Sequence, residues 1–299
     1  MKKNKPENKW IALDVFYRAL SRCSTACLFR LSKILAYFVT RTKNKVSRQT
    51  QQSIRLCFPE LDTAAQNELI SSSIQHTSCA FFELALLWYR PIPQVLKQIT
   101  TADIDPAFNK PETARIIIAP HQGSWELLNL WLAEHCTLYS LYKPAKSAQV
   151  DQLIYRKRSR NDAILVPANT AGLRKLLKGL NNKSCCMILP DQRPAPGTAQ
   201  IDASFLGFKA TTSLLIKKLA ERTDADIFIA AITRNLSKAD YHLTINALNR
   251  DEIVADDLHS ANYLNSSIEQ FIQTDINQYQ WSYRRFSRQT YQSVAVNKR

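Results

Sequence analysis

Residues 116 to 128 read Ile116-Ile117-Ile118-Ala119-Pro120-His121-Gln122-Gly123-Ser124-Trp125-Glu126-Leu127-Leu128. An apolar run with repeated isoleucine, then a proline, a glycine and a helix-like segment describe a strand that turns into a helix. A regular helix rotates about 100° per residue, so residues five apart stand roughly 140° out of line, and His121 and Glu126 would not meet on one helix. They can meet with His121 on the loop and Glu126 on the first helical turn. Pro120 and Gly123 favour that break, which leaves the imidazole close to the unpaired N–H groups and positive dipole end of a helix N-terminus. A carboxylate that accepts the proton of one ring nitrogen leaves the other as a base able to deprotonate a hydroxyl nucleophile. His121 and Glu126 are therefore the candidate base and its orienter.

The spacing alone is weak, because an acidic residue falls at any one offset about once in twelve in a chain of this composition. Only His121 has the match. His76, His135, His242 and His259 are followed five positions later by Phe81, Ser140, Ala247 and Leu264. The plain alternative for His121 is a capping or solvated surface histidine.

Outward from this turn, strand-like runs recur at 115 to 119, 138 to 142, 185 to 190, 226 to 233 and 241 to 247. Helical segments at 125 to 135, 148 to 160, 170 to 181 and 211 to 222 lie between them. Such alternation predicts an α/β sheet whose functional loops leave the strand ends. Leu189-Pro190-Asp191-Gln192-Arg193 follows a later strand as His121 follows the first, so the two polar groups can share one sheet edge. Residues 47 to 92 read as helices around the turn Cys57-Phe58-Pro59-Glu60-Leu61-Asp62, ending before Arg90-Pro91-Ile92-Pro93.

From Trp10 to Val39 the chain reads as a helix without proline or glycine. Arg18, Arg22, Arg30 and Lys33 fall in one wedge, and Leu13, Phe16, Leu20, Cys27, Leu28, Leu31, Ile34, Leu35 and Phe38 gather opposite. The segment lacks the roughly 18 uncharged apolar residues of a convincing span. Two uses of its apolar face stay open. It lies in a membrane interface with Arg41, Lys43, Lys45 and Arg48 against anionic headgroups, or it packs on the protein's own core.

Composition bounds the rest. The chain has 299 residues, 45% of them hydrophobic, and only five glycines, which fits a folded protein without linker-like or low-complexity stretches. Its seven cysteines form no CxxC pair, so reduced thiols are expected and neither a zinc site nor a disulfide framework is supported. The net charge of +15 calls for a negatively charged partner without choosing among nucleic acid, an anionic membrane and an acidic carrier protein. Tyr155-Arg156-Lys157-Arg158-Ser159-Arg160 reads either as a solvated basic helix end or as an anion clamp, since arginine can grip a phosphate or carboxylate with two parallel bonds. Gln278-Tyr279-Gln280-Trp281-Ser282-Tyr283-Arg284-Arg285-Phe286 mixes rings with a double arginine and reads as a structural cap with cation–π contacts or as a nucleic-acid stacking platform.

Taken together these segments resemble the late acyltransferases of lipid A biosynthesis, the lauroyl and myristoyl transferases of the lysophospholipid acyltransferase-like superfamily. The resemblance rests on Cys57-Phe58-Pro59-Glu60-Leu61, the HxxxxE form from His121 to Glu126, Tyr142-Lys143-Pro144, Arg158-Ser159-Arg160, Leu189-Pro190-Asp191-Gln192, Phe205-Leu206-Gly207 with Thr211-Thr212, and the 278–286 tail. Lys143 stands where an arginine is common, and Tyr283 where a histidine often occurs.

The resemblance implies an α/β fold with a mixed sheet flanked by helices, preceded by an amino-terminal helical membrane-associating region. It divides the chain into a basic membrane-associating helix (1 to 48), a helical region packed on the core (49 to 110) and an α/β acyltransferase core (111 to 299). It implies transfer of a fatty acyl chain from acyl carrier protein to a hydroxyacyl chain of a Kdo-bearing lipid A precursor, without cofactor or metal. His121 is then the base and Glu126 its orienter. Arg158 and Asp191 match supporting positions, their division of labour open between holding a phosphate or the oxyanion and positioning Arg158 or His121. Backbone N–H groups near Gly123 or the Arg158 guanidinium are the oxyanion donors. The implied partners are acyl carrier protein, the lipid A precursor and an anionic membrane surface, with no nucleic acid. The implied location is the cytoplasmic face of the inner membrane. The alternative acceptor is a glycerophospholipid or another glycolipid, against which Glu126 and the tail argue.

Overall fold

The computed structural model describes residues 7–145 and 147–296, so the ends of the expected amino-terminal segment and of the core, 1–6 and 297–299, lie outside the described residues. Helices come first: α1 (Glu7–Leu20), α2 (Thr25–Arg41), α3 (Lys45–Cys57), α4 (Thr63–Tyr89) and the short α5 (Ile92–Leu96). Strands and helices then alternate through β1 (Ile99–Ile104), β2 (Arg115–Ile118), α6 (Trp125–His135), β3 (Leu138–Tyr142), α7 (Ala148–Arg158), β4 (Ile164–Pro167), α8 (Thr170–Asn181) and β5 (Cys185–Ile188). The chain continues as β6 (Gln200–Phe205), β7 (Phe208–Ser213), α9 (Leu215–Ala220), β8 (Asp226–Asn235), β9 (Asp240–Ala247), α10 (Arg250–Val254), α11 (Asp257–Gln273) and α12 (Arg288–Val296).

Among the described residues these strands form a seven-stranded sheet ordered β1-β9-β8-β2-β5-β3-β4 and a separate β6-β7 hairpin. β2 lies near the middle, parallel to β5 and β8, whereas β8 and β9 are antiparallel, so the sheet is mixed. Its central strands are mostly apolar, as in Ile116-Ile117-Ile118 and Ile227 to Ile232, because both faces are covered. Side chains alternate faces, and the cores separate accordingly. Ile116 and Ile118 pack with Ile188, Ile229 and the α3 and α4 residues Ile54 and Ile74. Ile117 and Ala119 pack on the other face with Met187, Phe228 and the α6 residues Leu127 and Leu128.

Two expectations are corrected. The helix expected over 211 to 222 is a strand followed by the six-residue α9, because Leu206 (φ 48°) and Gly207 (φ 76°) reverse the chain and pair Thr211 and Thr212 with β6. The single helix expected from Trp10 to Val39 is two helices. Arg22 and Cys23 close a turn onto Ala19 and Leu20, and the Ser24 hydroxyl caps α2 by accepting from the Cys27 N–H at 3.2 Å. β1, which lies within the stretch 49 to 110, pairs with β9 and so belongs to the sheet.

α2 packs one side on the protein and leaves the other exposed. Leu28, Phe29, Ser32 and Ala36 are buried towards the protein, where Ser32 Oγ lies 3.0 Å from Cys79 Sγ of α4. Arg30, Lys33, Ile34, Tyr37, Phe38 and Arg41 form an exposed stripe on the other side. No described helix is long and apolar enough to cross a membrane.

α4 also buries a histidine, His76, whose Nδ1 finds no hydrogen-bond partner among the described residues. Burial, with the Arg234 guanidinium nearby, holds its pKa down at about 3. The unfolded chain takes up this proton near pH 6.5 and the folded chain refuses it, so the associated stability is intact above 6.5 and is lost as pH falls towards 3. Between pH 7 and pH 5 this group alone should cost roughly 2 kcal/mol. Denaturant unfolding of His76→Leu should therefore show a smaller loss over that interval than the parent chain, and equal losses would exclude His76 as the source.

Candidate active site

Beyond β2, the chain from His121 to Ser124 is inserted between β8 and the segment 278 to 280. Gly123 N–H donates to Gln278 O at 3.0 Å, Ser124 N–H to Ile232 O at 2.7 Å, and Gln280 N–H to His121 O at 2.9 Å. Gln278 binds β8 in turn, its Oε1 accepting from Arg234 N–H and its Nε2 donating to Arg234 O. Gly123 is required here twice over. Its φ of +59° suits glycine, and a Cβ would collide with the Ile232 carbonyl oxygen.

Beneath the loop lies a buried charge pair. Glu83 of α4 accepts from Arg234 Nε at 2.6 Å, Arg234 Nη2 at 2.8 Å, the Tyr241 hydroxyl at 2.9 Å and the Ser124 hydroxyl at 3.0 Å. Arg234 Nη2 also donates to Gly123 O at 2.8 Å. Burial works against the Arg234 charge, but Glu83 outweighs it and raises the guanidinium pKa further. Burial first, and then the Glu83 charge, push the Tyr241 phenol well above its ordinary value.

His121 is thereby presented to Asp191. The parallel β2 and β5 align Ile118 with Ile188, and three residues beyond each stand His121 and Asp191. Asp191 accepts from His121 N–H through Oδ2 at 2.9 Å, and its Oδ1 lies 2.7 Å from His121 Nδ1. With the proton on Nδ1, the free lone pair is on Nε2, which receives the Gln192 side-chain N–H at 3.0 Å. Asp191 is only 2% exposed. Burial opposes its ionisation, yet the His121 imidazole and backbone N–H hold its carboxyl below the ordinary carboxylate range. Tyr279 faces the same carboxylate, and its phenol is pushed well above its ordinary value by burial first and by Asp191 second.

Glu126 stands on the first turn of α6, as expected, but no hydrogen bond joins it to His121. It holds Arg158 instead, accepting from Nε at 2.8 Å and 3.0 Å through its two oxygens, with a further short contact to Nη2. Asn129 of α6 donates to the Arg158 carbonyl at 3.3 Å and accepts from Ser140, which fixes the end of α7 beside α6. Burial works against the Arg158 charge and Glu126 more than compensates, raising its pKa. The expected His121–Glu126 contact is thus replaced by two pairs, His121 with Asp191 and Arg158 with Glu126. The physical reason is reach: adjacent strand ends bring Asp191 alongside the imidazole, while α6 carries Glu126 towards α7.

The backbone around Gly123 is fully hydrogen-bonded on its donor side. The N–H groups of His121, Gln122, Gly123 and Ser124 are all engaged, to Asp191, Pro120, Gln278 and Ile232.

Glu83, Arg234 and Tyr241 were not legible as site residues. A lone acid in the apolar stretch Phe81-Phe82-Glu83-Leu84 and an arginine ending the apolar β8 are the signals that mark them in retrospect. Gln192 and Gln278 lay inside quoted motifs without an assigned task.

The model of the family described as bacterial lipid A biosynthesis acyltransferase matches residues 7–288. No curated protein matches the chain.

Two alanine substitutions separate the demands on Gly123. Gly197 also has positive φ (+80°) but nothing within 4 Å of an added Cβ. Gly197→Ala should cost about 1–2 kcal/mol for the left-handed backbone alone. Gly123→Ala should cost clearly more in denaturant unfolding, and equal costs would show that the approach to Ile232 is relieved easily.

Proposed function

The chain belongs to the bacterial lipid A biosynthesis acyltransferase family, and on that premise we propose that it moves a fatty acyl chain from acyl carrier protein to the hydroxyl of a hydroxyacyl chain on a Kdo-bearing lipid A precursor. Membership makes it an acyltransferase of lipid A synthesis. Donor, acceptor and base are our reading. The observation that carries it is the His121–Asp191 pair, whose lone-pair nitrogen Nε2 has an amide N–H of Gln192 where a substrate hydroxyl would donate.

In this reading the acceptor hydroxyl displaces the Gln192 amide. His121 Nε2 takes its proton as the oxygen bonds to the thioester carbonyl carbon, and the carbonyl electron pair becomes the oxyanion. Collapse of the tetrahedral intermediate re-forms the carbonyl and breaks the carbon–sulfur bond. The proton on Nε2 then passes to the leaving thiolate. Asp191 keeps the proton of the resting imidazole on Nδ1 and stabilises the imidazolium. Glu126 acts on Arg158, holding the guanidinium where its outer edge or the neighbouring α6 amides can receive the oxyanion.

His121→Ala should abolish transfer in a folded protein. Asp191→Asn should lower kcat by about 10³- to 10⁴-fold, as expected when an imidazole loses its carboxylate. Glu126→Gln should cost less, about 10²- to 10³-fold, the scale of one oxyanion donor. Steady-state kinetics decides, and the reverse order of the last two would return the orienting task to Glu126.

For attachment we propose a peripheral mode at the cytoplasmic face of the inner membrane, supported by the exposed stripe on α2. Ile34, Tyr37 and Phe38 supply apolar surface, and Arg30, Lys33 and Arg41 flank them with positive charge. Sedimentation with phosphatidylglycerol vesicles tests it. Ile34→Asp with Phe38→Asp should weaken partitioning by about tenfold or more, and unchanged partitioning would remove α2 from the membrane contact.

A further inference from the structure

A second constellation lies where α3 meets the carboxyl-terminal segment. Lys45 and Arg48, on the first turn of α3, and Arg284 line a cavity of about 280 Å³ whose other walls are Gln49, Ser282 and Tyr283. A water takes up only about 30 Å³ of liquid, so the space suits a larger group. All three cations are exposed, none has an ion pair among the described residues, and no carboxylate lines the cavity. Three like charges around one concavity repel one another, and an anion in the middle relieves that repulsion.

The walls are built rather than adventitious. Gln49 is buried, and its Oε1 accepts from Arg284 Nε at 3.3 Å, joining α3 to the far wall. Trp281, Arg285 and Phe286 are buried on either side of the lining residues, so the segment is anchored in the core. The cavity is also tied to the reacting imidazole. The Tyr283 hydroxyl accepts from Arg193 N–H at 3.2 Å, and Arg193 follows Gln192, which touches His121 Nε2. By the other route Gln280 N–H binds His121 O, and Tyr283 is three residues on, at most about 10 Å of extended chain.

We propose that this cavity binds a phosphate group on the sugar head group of the acceptor, placing the acceptor's hydroxyl at His121. The inference rests on the acyl-transfer reading and adds to it the determinant of acceptor recognition. Two arginines can each grip a phosphate through paired N–H groups, while Lys45 adds a mobile charge. The same chemistry is offered by the phosphate of a bilayer lipid, so the experiment separates the two sources.

The test uses the full chain, the double variant Arg48→Glu with Arg284→Glu, and a charge-matched control, Lys175→Glu with Lys178→Glu on α8. Calorimetric titration with a phosphorylated glucosamine disaccharide should show salt-sensitive binding to the parent and control, lost in the double variant and absent for the dephosphorylated disaccharide. In acyl-transfer assays the double variant should raise KM for the phosphorylated acceptor by about tenfold or more with a much smaller change in kcat, and leave KM for the acyl donor unchanged. Equal binding by parent and double variant would overturn the proposal. A raised donor KM alone would reassign the cavity to the carrier protein, and lost sedimentation with phosphatidylglycerol vesicles at an unchanged acceptor KM would reassign it to the bilayer. Absence of transfer by the parent would refute the acyl-transfer reading, and the calorimetric arm would still decide whether the cavity takes a sugar phosphate.

Discussion

The close approach of Gly123 to Ile232 is the constraint on which the site depends. A turn leaving a central parallel strand normally stays clear of its neighbours; here it is pressed between β8 and residues 278 to 280, with its N–H groups taken up on both sides. That arrangement is possible only without a side chain at 123. It also needs a device to hold the loop from below, and the Glu83–Arg234 pair fills that place. Buried pairs often contribute little net stability, but removing one partner leaves an uncompensated charge and costs about 3–5 kcal/mol. Here the pair is bonded to Ser124, to the Gly123 carbonyl and to Tyr241, so its contribution lies in fixing geometry: α4, β8, β9 and the loop are registered by one carboxylate.

From this follows the division of the charged groups into two pairs. The proposed base needs a carboxylate that cannot drift, and Asp191 is held by the imidazole nitrogen and by the backbone of the same histidine. In the proposed mechanism the arginine needs to stay oriented while one edge remains open. Glu126 meets that need by engaging Nε and Nη2 only. Had Glu126 reached His121, Arg158 would have lost its only carboxylate partner among the described residues and Asp191 would have been a buried charge without the imidazole.

Much of the sheet was legible because its central strands are apolar and bounded by turn residues, as with Ile116-Ile117-Ile118 and Asp226 to Thr233. β1 was not, since Thr100, Thr101, Ala102 and Asp103 are exposed and carry no apolar signal; pairing with β9 makes it a strand. The end of β7, residues 211–213, was read as the start of a helix, and the β6-β7 turn was missed because the positive φ at Leu206 has no sequence marker, although the glycine after it does. For the site, the sequence identified His121, Glu126, Arg158 and Asp191 but paired the first two by proximity along the chain. Asp191 was left open as a group on the same sheet edge able to position Arg158 or His121, and the parallel register of neighbouring β2 and β5 is what sets it beside His121. Ala119-Pro120-His121-Gln122 and Leu189-Pro190-Asp191-Gln192 then read as matching exits from adjacent strands, one carrying the imidazole and the other the carboxylate that meets it.

The carboxyl-terminal segment acquires its meaning from the same loop. Its rings read as a cap or a stacking platform, and the cap describes the packing: Tyr279 and Trp281 are buried edge to face, 4.8 Å between centroids, and Phe286 closes on Phe208 and Tyr291. Arg285 is buried with them, donating to Thr211 O and Thr212 Oγ1. Burial lowers its pKa, with the Tyr279 and Asp191 groups opposing that shift. The segment therefore adds positive potential behind the Asp191 carboxylate, supports the His121 loop through Gln278 and Gln280, and presents Arg284 to solvent. With Gln278, Tyr279, Trp281, Arg285 and Phe286 buried and Arg284 exposed, one stretch of chain both holds the His121 loop and presents a cation to solvent. A displacement of this segment would move the His121 loop and Arg284 together, so in the proposed reading the spacing between an acceptor's anionic group and its hydroxyl is set by the fold rather than by a flexible arm.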